Sequence, residues 1–451
     1  MRPGAYESLG GGDARIHGTD PVLATPFRVG EAAAAALAAC GDAAAELWQL
    51  RGGDPQQVDV DVRAAAASLL SFAFQRVERD PAVGERQSRN TTALYQGRDG
   101  RWVHLHGGFP HLRAGTLALL ECDDSVDSVA AAVGRWDAQD LEDALAERGL
   151  CGAMARSGDE WLAHPQGAAV SKLPPVEVLR IGDADPQPLP GAERPLAGIR
   201  VLDLTRVLAG PTCARTLAEH GAEALRIAGP HLPFVEPFVI DTGHGKRSAH
   251  VDLCSPNGVD TLRSLVRGAD VFSQGYRGHS LARRGFGAEA LAELRPGIIV
   301  VSINCYGHEG PWVERPGWEQ LAQTTSGIAV EQGGTGDPRL IPAAACDYTT
   351  GYLAACGVMR ALALRAREGG SYHVRASLVQ TAQWFRSLGR VDPAQARALE
   401  ADEIAPLCTD SETAWGPVRH LAPVTRMSIT PTRWQQVTVP LGTNPPRWSG
   451  D

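Results

Sequence analysis

The stretch "AAACDYTTGYLAACG", residues 343–357, sets a lone acidic residue, Asp347, where a run of small side chains turns into a helical pattern. Two roles suit a carboxylate there. It can cap the helix by accepting bonds from the first orphan N–H groups. Partly desolvated, it can instead act as a nucleophile or a base on whatever it faces. Ala343, Ala344, Ala345 and Gly351 leave space for a ligand to approach the backbone, which a simple cap does not need. Three further loops offer anion contacts. "RVLAGP" (206–211) follows a strand and opens a helix, so it brings Arg206 and backbone N–H groups to the carboxyl end of a sheet. "GHGKRSAHVDL" (243–253) reads as a glycine-loosened turn presenting Lys246 and Arg247, either to an anion or to solvent. "YRGHSLARRGFG" (276–287) adds Tyr276, Arg277, Arg283 and Arg284 after another strand; the alternative is a basic helix start. The three loops are expected to converge on one edge of the sheet.

Other chemistries find no support. The 243–253 turn fails as a nucleotide-hydrolysing loop, because Ile240 stands where a glycine is needed and Arg247 intrudes before Ser248. The 206–211 loop is not G-x-G-x-x-G. The 13 histidines form no H-E-x-x-H, and a serine-hydrolase G-x-S-x-G elbow is missing. Cys346 beside Asp347 has no evident histidine partner and reads as a small buried thiol. The nine cysteines form no C-x-x-C pair, which points to a reduced, cytosolic protein without a metal.

These side chains need elements to hold them. A linker near 183–196, "GDADPQPLPGAERPLAG", is rich in proline and glycine. Beyond it "IRVLDL" (199–204) predicts a strand, "PTCARTLAEHG" (211–221) a helix, and "AEALRI" (222–227) a second strand, a compact βαβ unit. "ADVFSQ" (269–274) and "IIVVSINC" (298–305) predict further strands, with a helix over roughly 280–294 between them. A parallel sheet with helices on both faces follows. Before the linker, "GEAAAAALAACGDAAAELWQL" (30–50) and "DAQDLEDALAERG" (137–149) read as helices around a strand-like "RWVHLHG" (101–107), and after residue 400 the chain reads as an extended tail.

With 451 residues, 43% hydrophobic and 21% charged, the chain suits two or three globular domains. A net charge of −9 argues against an extended nucleic-acid or anionic-membrane surface, so a polyanionic ligand must be held locally. No membrane-length apolar run and no signal-peptide pattern occur in the sequence, and a cytoplasmic location is expected. The stretch 38–72 runs parallel to 354–385: a helix opening on Ala-Ala-Cys-Gly, then Arg and paired Gly, an alternating Val strand and another helix. In that register Glu31 falls where the second copy has Asp347.

The ordered pieces "PLAGIRVLDLTRVLAGPTCARTLAEHGAEALRI", "GKRSAHVDL", "ADVFSQGYRG" with "RRGFG", "LRPGIIVVSINCYGHEGP", "GWEQLAQTTSG" and "AACDYTTGYLAACGVMRALALR" resemble the class III CoA-transferase family of the CaiB/BaiF type, over about residues 195–385. The resemblance implies an α/β fold with a Rossmann-like parallel-sheet large domain and a smaller α+β domain. It suggests a fused or rearranged member. Residues 1–90 would be a partial repeat of the large domain's C-terminal part, 91–182 the small domain, 183–196 a linker, 197–400 the large CoA-binding domain, and 401–451 a tail closing it.

By the same resemblance Asp347 is the nucleophile, Glu319 of "GWEQLAQ" is a second site residue, and coenzyme A is a substrate. Arg206, Arg277 and Arg283 are expected at its phosphates, with Lys246 and Arg247 as further cations and Ala209 and Tyr276 on the adenosine side. The implied partners are an acyl-CoA and a small carboxylic acid, neither nucleic acid nor membrane, in a homodimer whose chains can interlock. The implied activity is CoA transfer through an aspartyl-CoA thioester. The alternatives are an acyl-CoA racemase or isomerase, which would carry G-H-D where this chain has Gly317-Trp318-Glu319, and a catalytically inactive CoA-binding subunit. Two departures stand out: the family's glycine-rich loop finds no counterpart, and Leu208 replaces the formyl-CoA branch's Gln.

Overall fold

The strand–helix alternation after the linker builds a seven-stranded sheet in the order Lys246–His250, Glu223–Ala228, Arg200–Leu204, Val271–Gln274, Ile299–Asn304, Ser371–Ser377 and Val176–Gly182. The first six strands are parallel and the last is antiparallel. The structure, a computed structural model, describes residues 4–78, 89–277 and 280–450. Parts of the 1–90 unit and positions 278–279 of the 276–287 loop therefore lie outside the described residues.

Both faces of this sheet are covered, as a mainly parallel sheet requires. Val201, Ala224, Val271 and Ile299 point into one core, beneath the helices Ala209–Glu219 and Ala345–Glu368. Their strand neighbours Leu202, Leu225, Phe272 and Val300 point into a second core with Leu262, Leu265 and Leu291 of the opposite helices. Residues 176–182, expected with the small domain, form the edge strand of this sheet instead, because Val176 and Val178 pack against Gly357 of the Asp347 helix.

The repeat seen in the sequence is a structural repeat. The helix Val29–Leu50 packs on the helix Ala345–Glu368, and their N-caps, Arg28 and Ala344, share the backbone angles φ −81 with ψ 58 and 55. One constant shift in numbering carries Glu31 onto Asp347, each the third residue of its helix. The same shift carries Cys40 onto Cys356 and Gly41 onto Gly357. It carries strand Val58–Asp61 onto the end of Ser371–Ser377, and cap residue Asp61 onto Ser377. The two halves also exchange strands. Val176–Gly182, before the linker, pairs antiparallel with Ser371–Ser377, and Arg426–Met427, from the tail, pairs antiparallel with Val58–Asp61.

The small domain has a three-stranded antiparallel sheet, Thr92–Gln96, Trp102–His106 and Gly152–Met154, backed by helices that include Ala138–Glu147. Two expectations need correction. The helix over 280–294 shortens to Ala288–Leu294 preceded by a 3-10 turn, Ala282–Arg284, since Gly285 at φ 83 takes the left-handed conformation that ends the turn. The tail is not extended from residue 400: a short helix, Ala401–Ile404, a 3-10 turn, Ala405–Leu407, and a hairpin, Cys408–Thr413 with Gly416–Leu421, come first. Among the described residues no helix is long and apolar enough to cross a membrane.

Candidate active site

Asp347 is the third residue of its helix, not the N-cap; that place is taken by Ala344, which makes no side-chain cap. The carboxylate is buried, 9% exposed, at the positive end of a 24-residue helix. A second helix N-terminus lies near it: the Ala209 backbone N–H is close enough to the Asp347 carboxylate to favour its charged form. Two features aim that N–H. Gly351, one turn along from Asp347, has no Cβ where one would stand 2.6 Å from both Ala209 O and Thr212 Cβ, so the Ala209 helix seats directly on the Asp347 helix. Val207, before the helix, has φ 70, a left-handed conformation that a β-branched residue adopts only under constraint.

Glu319 opens the helix Glu319–Thr325 and is 5% exposed. Its Oε1 accepts from Gln323 Nε2 at 2.5 Å and from the Cys346 backbone N–H at 3.2 Å, the residue beside Asp347. Burial raises the Glu319 pKa to about 7, against those hydrogen bonds, which favour the charged form. Burial, with the Glu319 charge in addition, pushes Asp347 well above the usual carboxylate range, and the Ala209 N–H pulls the other way. The two carboxyls thus form one buried pair, in which ionising the first makes ionising the second harder.

Residues 104–109 pack against the Glu319 helix and the Trp318 before it. His106 stacks on Trp318 at 4.3 Å, Phe109 meets Trp318 edge-on at 5.0 Å, and His104 Nδ1 lies 3.0 Å from Thr324 Oγ1. Burial drives the pKa of both histidines down, His106 to about 4 and His104 to about 3, so both are neutral at pH 7.

Beside this site an open cleft runs between Phe109, the 205–207 loop, Arg226 and the 228–235 segment. Arg206 stands over the Phe109 ring at 4.8 Å and donates to the Pro233 carbonyl. Arg277 donates to the Gly149 carbonyl at 2.9 Å, and Tyr276 lies close enough to Arg206 for their charges to interact. Arg283 is exposed on the 282–284 turn. Arg206, Tyr276 and Arg277 are therefore brought together at the carboxyl edge of the sheet.

Lys246 and Arg247 are not presented there, which corrects the expected surface turn. They begin a strand parallel to its neighbours, so they enter the sheet from its opposite edge. Lys246 is 1% exposed, with Nζ 2.7 Å from Asp203 Oδ2 and 2.6 Å from the Pro211 carbonyl. Arg247 is held by the tail, through the Arg447 carbonyl at 2.8 Å.

Sequence reasoning missed Arg226. It is buried on strand Glu223–Ala228 and lines the cleft, and its Nη1 has no hydrogen-bond partner among the described residues. A cation inside the apolar run "EALRIA" was the available signal. One group, His231, Asp252 and Cys254, brings possible metal ligands within 4.8 Å of one another, partly exposed and outside the Asp347 pocket.

Comparison with known proteins bears on this arrangement. Residues 196–402 match the family model CoA-transferase family III. An acyl-CoA transferase from Gibberella moniliformis is 33% identical over 409 residues, 80% of this chain and 72% of that protein. The acetyl-coenzyme A transferase nodX from Hypoxylon pulicicidum is 33% identical over 351 residues, 72% of this chain and 59% of that protein. A succinate–glutarate CoA-transferase from Agrobacterium fabrum is 32% identical over 210 residues, 42% of this chain and 52% of that protein. The ordered motifs, the parallel sheet and these likenesses agree, and the chain belongs to CoA-transferase family III.

Proposed function

We propose that the chain moves CoA from an acyl-CoA donor to a carboxylic acid acceptor, with Asp347 as the covalent carrier. The observation that carries the reading is the seat of Asp347: a buried carboxylate held at two helix N-termini, with Gly351 making the approach possible. The relatives named as CoA transferases support the substrate class.

In the first step an Asp347 oxygen attacks the donor thioester carbonyl, the C–S bond breaks, and a mixed anhydride and CoA thiolate result. The thiolate then attacks the aspartyl carbonyl of that anhydride and expels the donor acid as its carboxylate, leaving an aspartyl-CoA thioester. The acceptor carboxylate attacks this thioester and regenerates a mixed anhydride and thiolate. Attack of the thiolate on the acceptor's acyl carbonyl releases the new acyl-CoA and restores the Asp347 carboxylate. Each tetrahedral intermediate carries an oxyanion, and N–H groups at the two helix N-termini are suitable donors for it. Glu319 orients the thiol end or the attacking carboxylate. The low exposure of Asp347 and its Trp318, His106 and Phe109 walls suit exclusion of water from the anhydride. Arg206 and Arg226, which line the cleft, suit the phosphates of CoA, and Arg277 and Tyr276, near Arg206, add to that reading.

The test is hydroxylamine trapping during turnover. A hydroxamate on Asp347, and a transfer rate lowered by at least about 10⁴-fold in Asp347→Asn, are the expected results. A racemase using the Glu319–Asp347 pair as acid and base would exchange the substrate's α-proton with solvent deuterium and yield no hydroxamate.

A further inference from the structure

Gln323 lies one turn beyond Glu319 on the same helix face and is fully buried. Its amide works in two directions. Oε1 accepts from the Ile341 backbone N–H at 2.8 Å, and Nε2 donates to Glu319 Oε1 at 2.5 Å. The Ile341 N–H can bond only to the amide's oxygen, so the flip of the amide is fixed and its N–H is turned toward Glu319. The Glu319 oxygen that receives this bond also receives the Cys346 N–H at 3.2 Å. A single amide therefore ties the Glu319 helix to both ends of the 341–346 segment, which delivers Asp347 into its helix.

We propose that Gln323 is a positioning residue for CoA transfer, holding Glu319 against the Cys346 amide and so fixing the separation of the Glu319–Asp347 carboxyl pair. The inference rests on Asp347 being the nucleophile. A glutamate has three rotatable bonds and would otherwise sample several rotamers in a pocket walled by Trp318 and Cys305. Two donors on one oxygen leave it a single orientation. The groups facing Glu319 are Cys346 and Asp347 from the Asp347 helix, Cys305 from the end of strand Ile299–Asn304, and Gln323 itself. Of these, Gln323 gives the largest push toward the charged form of Glu319, so removing its N–H makes Glu319 hold its proton to higher pH.

The experiment compares Gln323→Met with the wild-type full chain by two readouts. The first is an infrared titration of the Glu319 carboxyl band, identified as the band lost in Glu319→Gln, in the absence of substrate. The second is the rate of CoA transfer. In Gln323→Met the band is expected to titrate at higher pH. The kcat is expected to fall about 10²-fold while KM for the acyl-CoA stays within about twofold. An unshifted band, or an unchanged kcat, overturns the proposal. Because the titration needs no substrate, a wild-type chain that transfers no CoA sinks the functional reading and leaves the Gln323–Glu319 link judged separately. Should Gln323→Met fail to fold, Gln323→Leu removes the same donor with a side chain of similar size and no carboxyl of its own. The same two shifts are then expected, and their absence is equally decisive.

Discussion

At Gly351 two energies pull in opposite directions. Replacing it with alanine improves intrinsic helix propensity by up to about 1 kcal/mol. The new methyl group would stand 2.6 Å from Ala209 O, a contact with backbone that cannot rotate away, and overpacking of that kind costs about 1–3 kcal/mol. The strain is relieved by lifting the Ala209 helix off the Asp347 helix, which moves the N–H that faces the carboxylate. Gly351→Ala should therefore change stability by no more than about 2 kcal/mol but lower kcat/KM by about 10²-fold, measured by urea unfolding and initial rates. The Asp347 carboxyl itself has a folded pKa raised above its unfolded one. Such a group adds stability below the unfolded pKa of about 4 and loses it as pH rises through the folded pKa. Asp347→Asn, which has nothing to ionise, should melt at least about 2 °C above the wild type at pH 8, with the gap narrower at pH 5 and closed only below about pH 4. A gap of the same size at both pH values would mean that the gain comes from packing and not from the buried charge.

The two long helices explain why alanine is so abundant near the N-terminus. Ala32, Ala33, Ala34, Ala35 and Ala36 are all fully buried, and only small side chains let the Glu31 and Asp347 helices approach along such a length. Gly41 and Gly357 then do the same work in each half: a Cβ would stand 2.4 Å from Val58 Cγ1 in one and 2.7 Å from Val374 Cγ1 in the other. Either Gly→Ala change should cost about 1–3 kcal/mol, seen as a lower urea midpoint with one cooperative transition. A second, separate transition would show that the halves fold independently. These elements were legible in the sequence because spacing alone specifies them: the Ala-Ala-Cys-Gly repeat located both helices, and the small residues around Asp347 marked the carboxylate's pocket. Lys246 was misread because loop composition does not say which end of a parallel strand the loop adjoins. His106 and Phe109 were missed because their contact with Trp318 joins segments about two hundred residues apart, which no local pattern encodes. Glu31 illustrates both sides. Its register with Asp347 was readable, but only the fold shows that Arg28 and the Asp20 backbone N–H bond its carboxylate, while Asp20 caps its own N–H.

Across the whole molecule, the exchanged strands and the placement of residues 91–182 lead us to propose a dimer written into one chain. The half that carries Asp347 gives the strand Arg426–Met427 to the first half's sheet and receives Val176–Gly182 in return. Residues 104–109, which pack on Trp318 and Thr324, are contributed by sequence lying before the linker. Where family resemblance implies an interlocked partner chain, this chain's own first half is already in place, and its Glu31 end shows no counterpart of the Ala209 helix among the described residues. One working site per chain is expected, complete without a second copy. Light scattering should then give the mass of a single chain, and specific activity should stay constant on dilution from micromolar to nanomolar. Mixing supplies the sharper test. An Asp347→Ala chain and a His106→Asp chain each carry one damaged wall of the same site, so a site completed within one chain stays inactive when the two are unfolded together and refolded as a mixture. If two chains shared their walls, about a quarter of the activity would return in the hybrids, as random pairing of equal amounts gives, and the single-chain reading would fall.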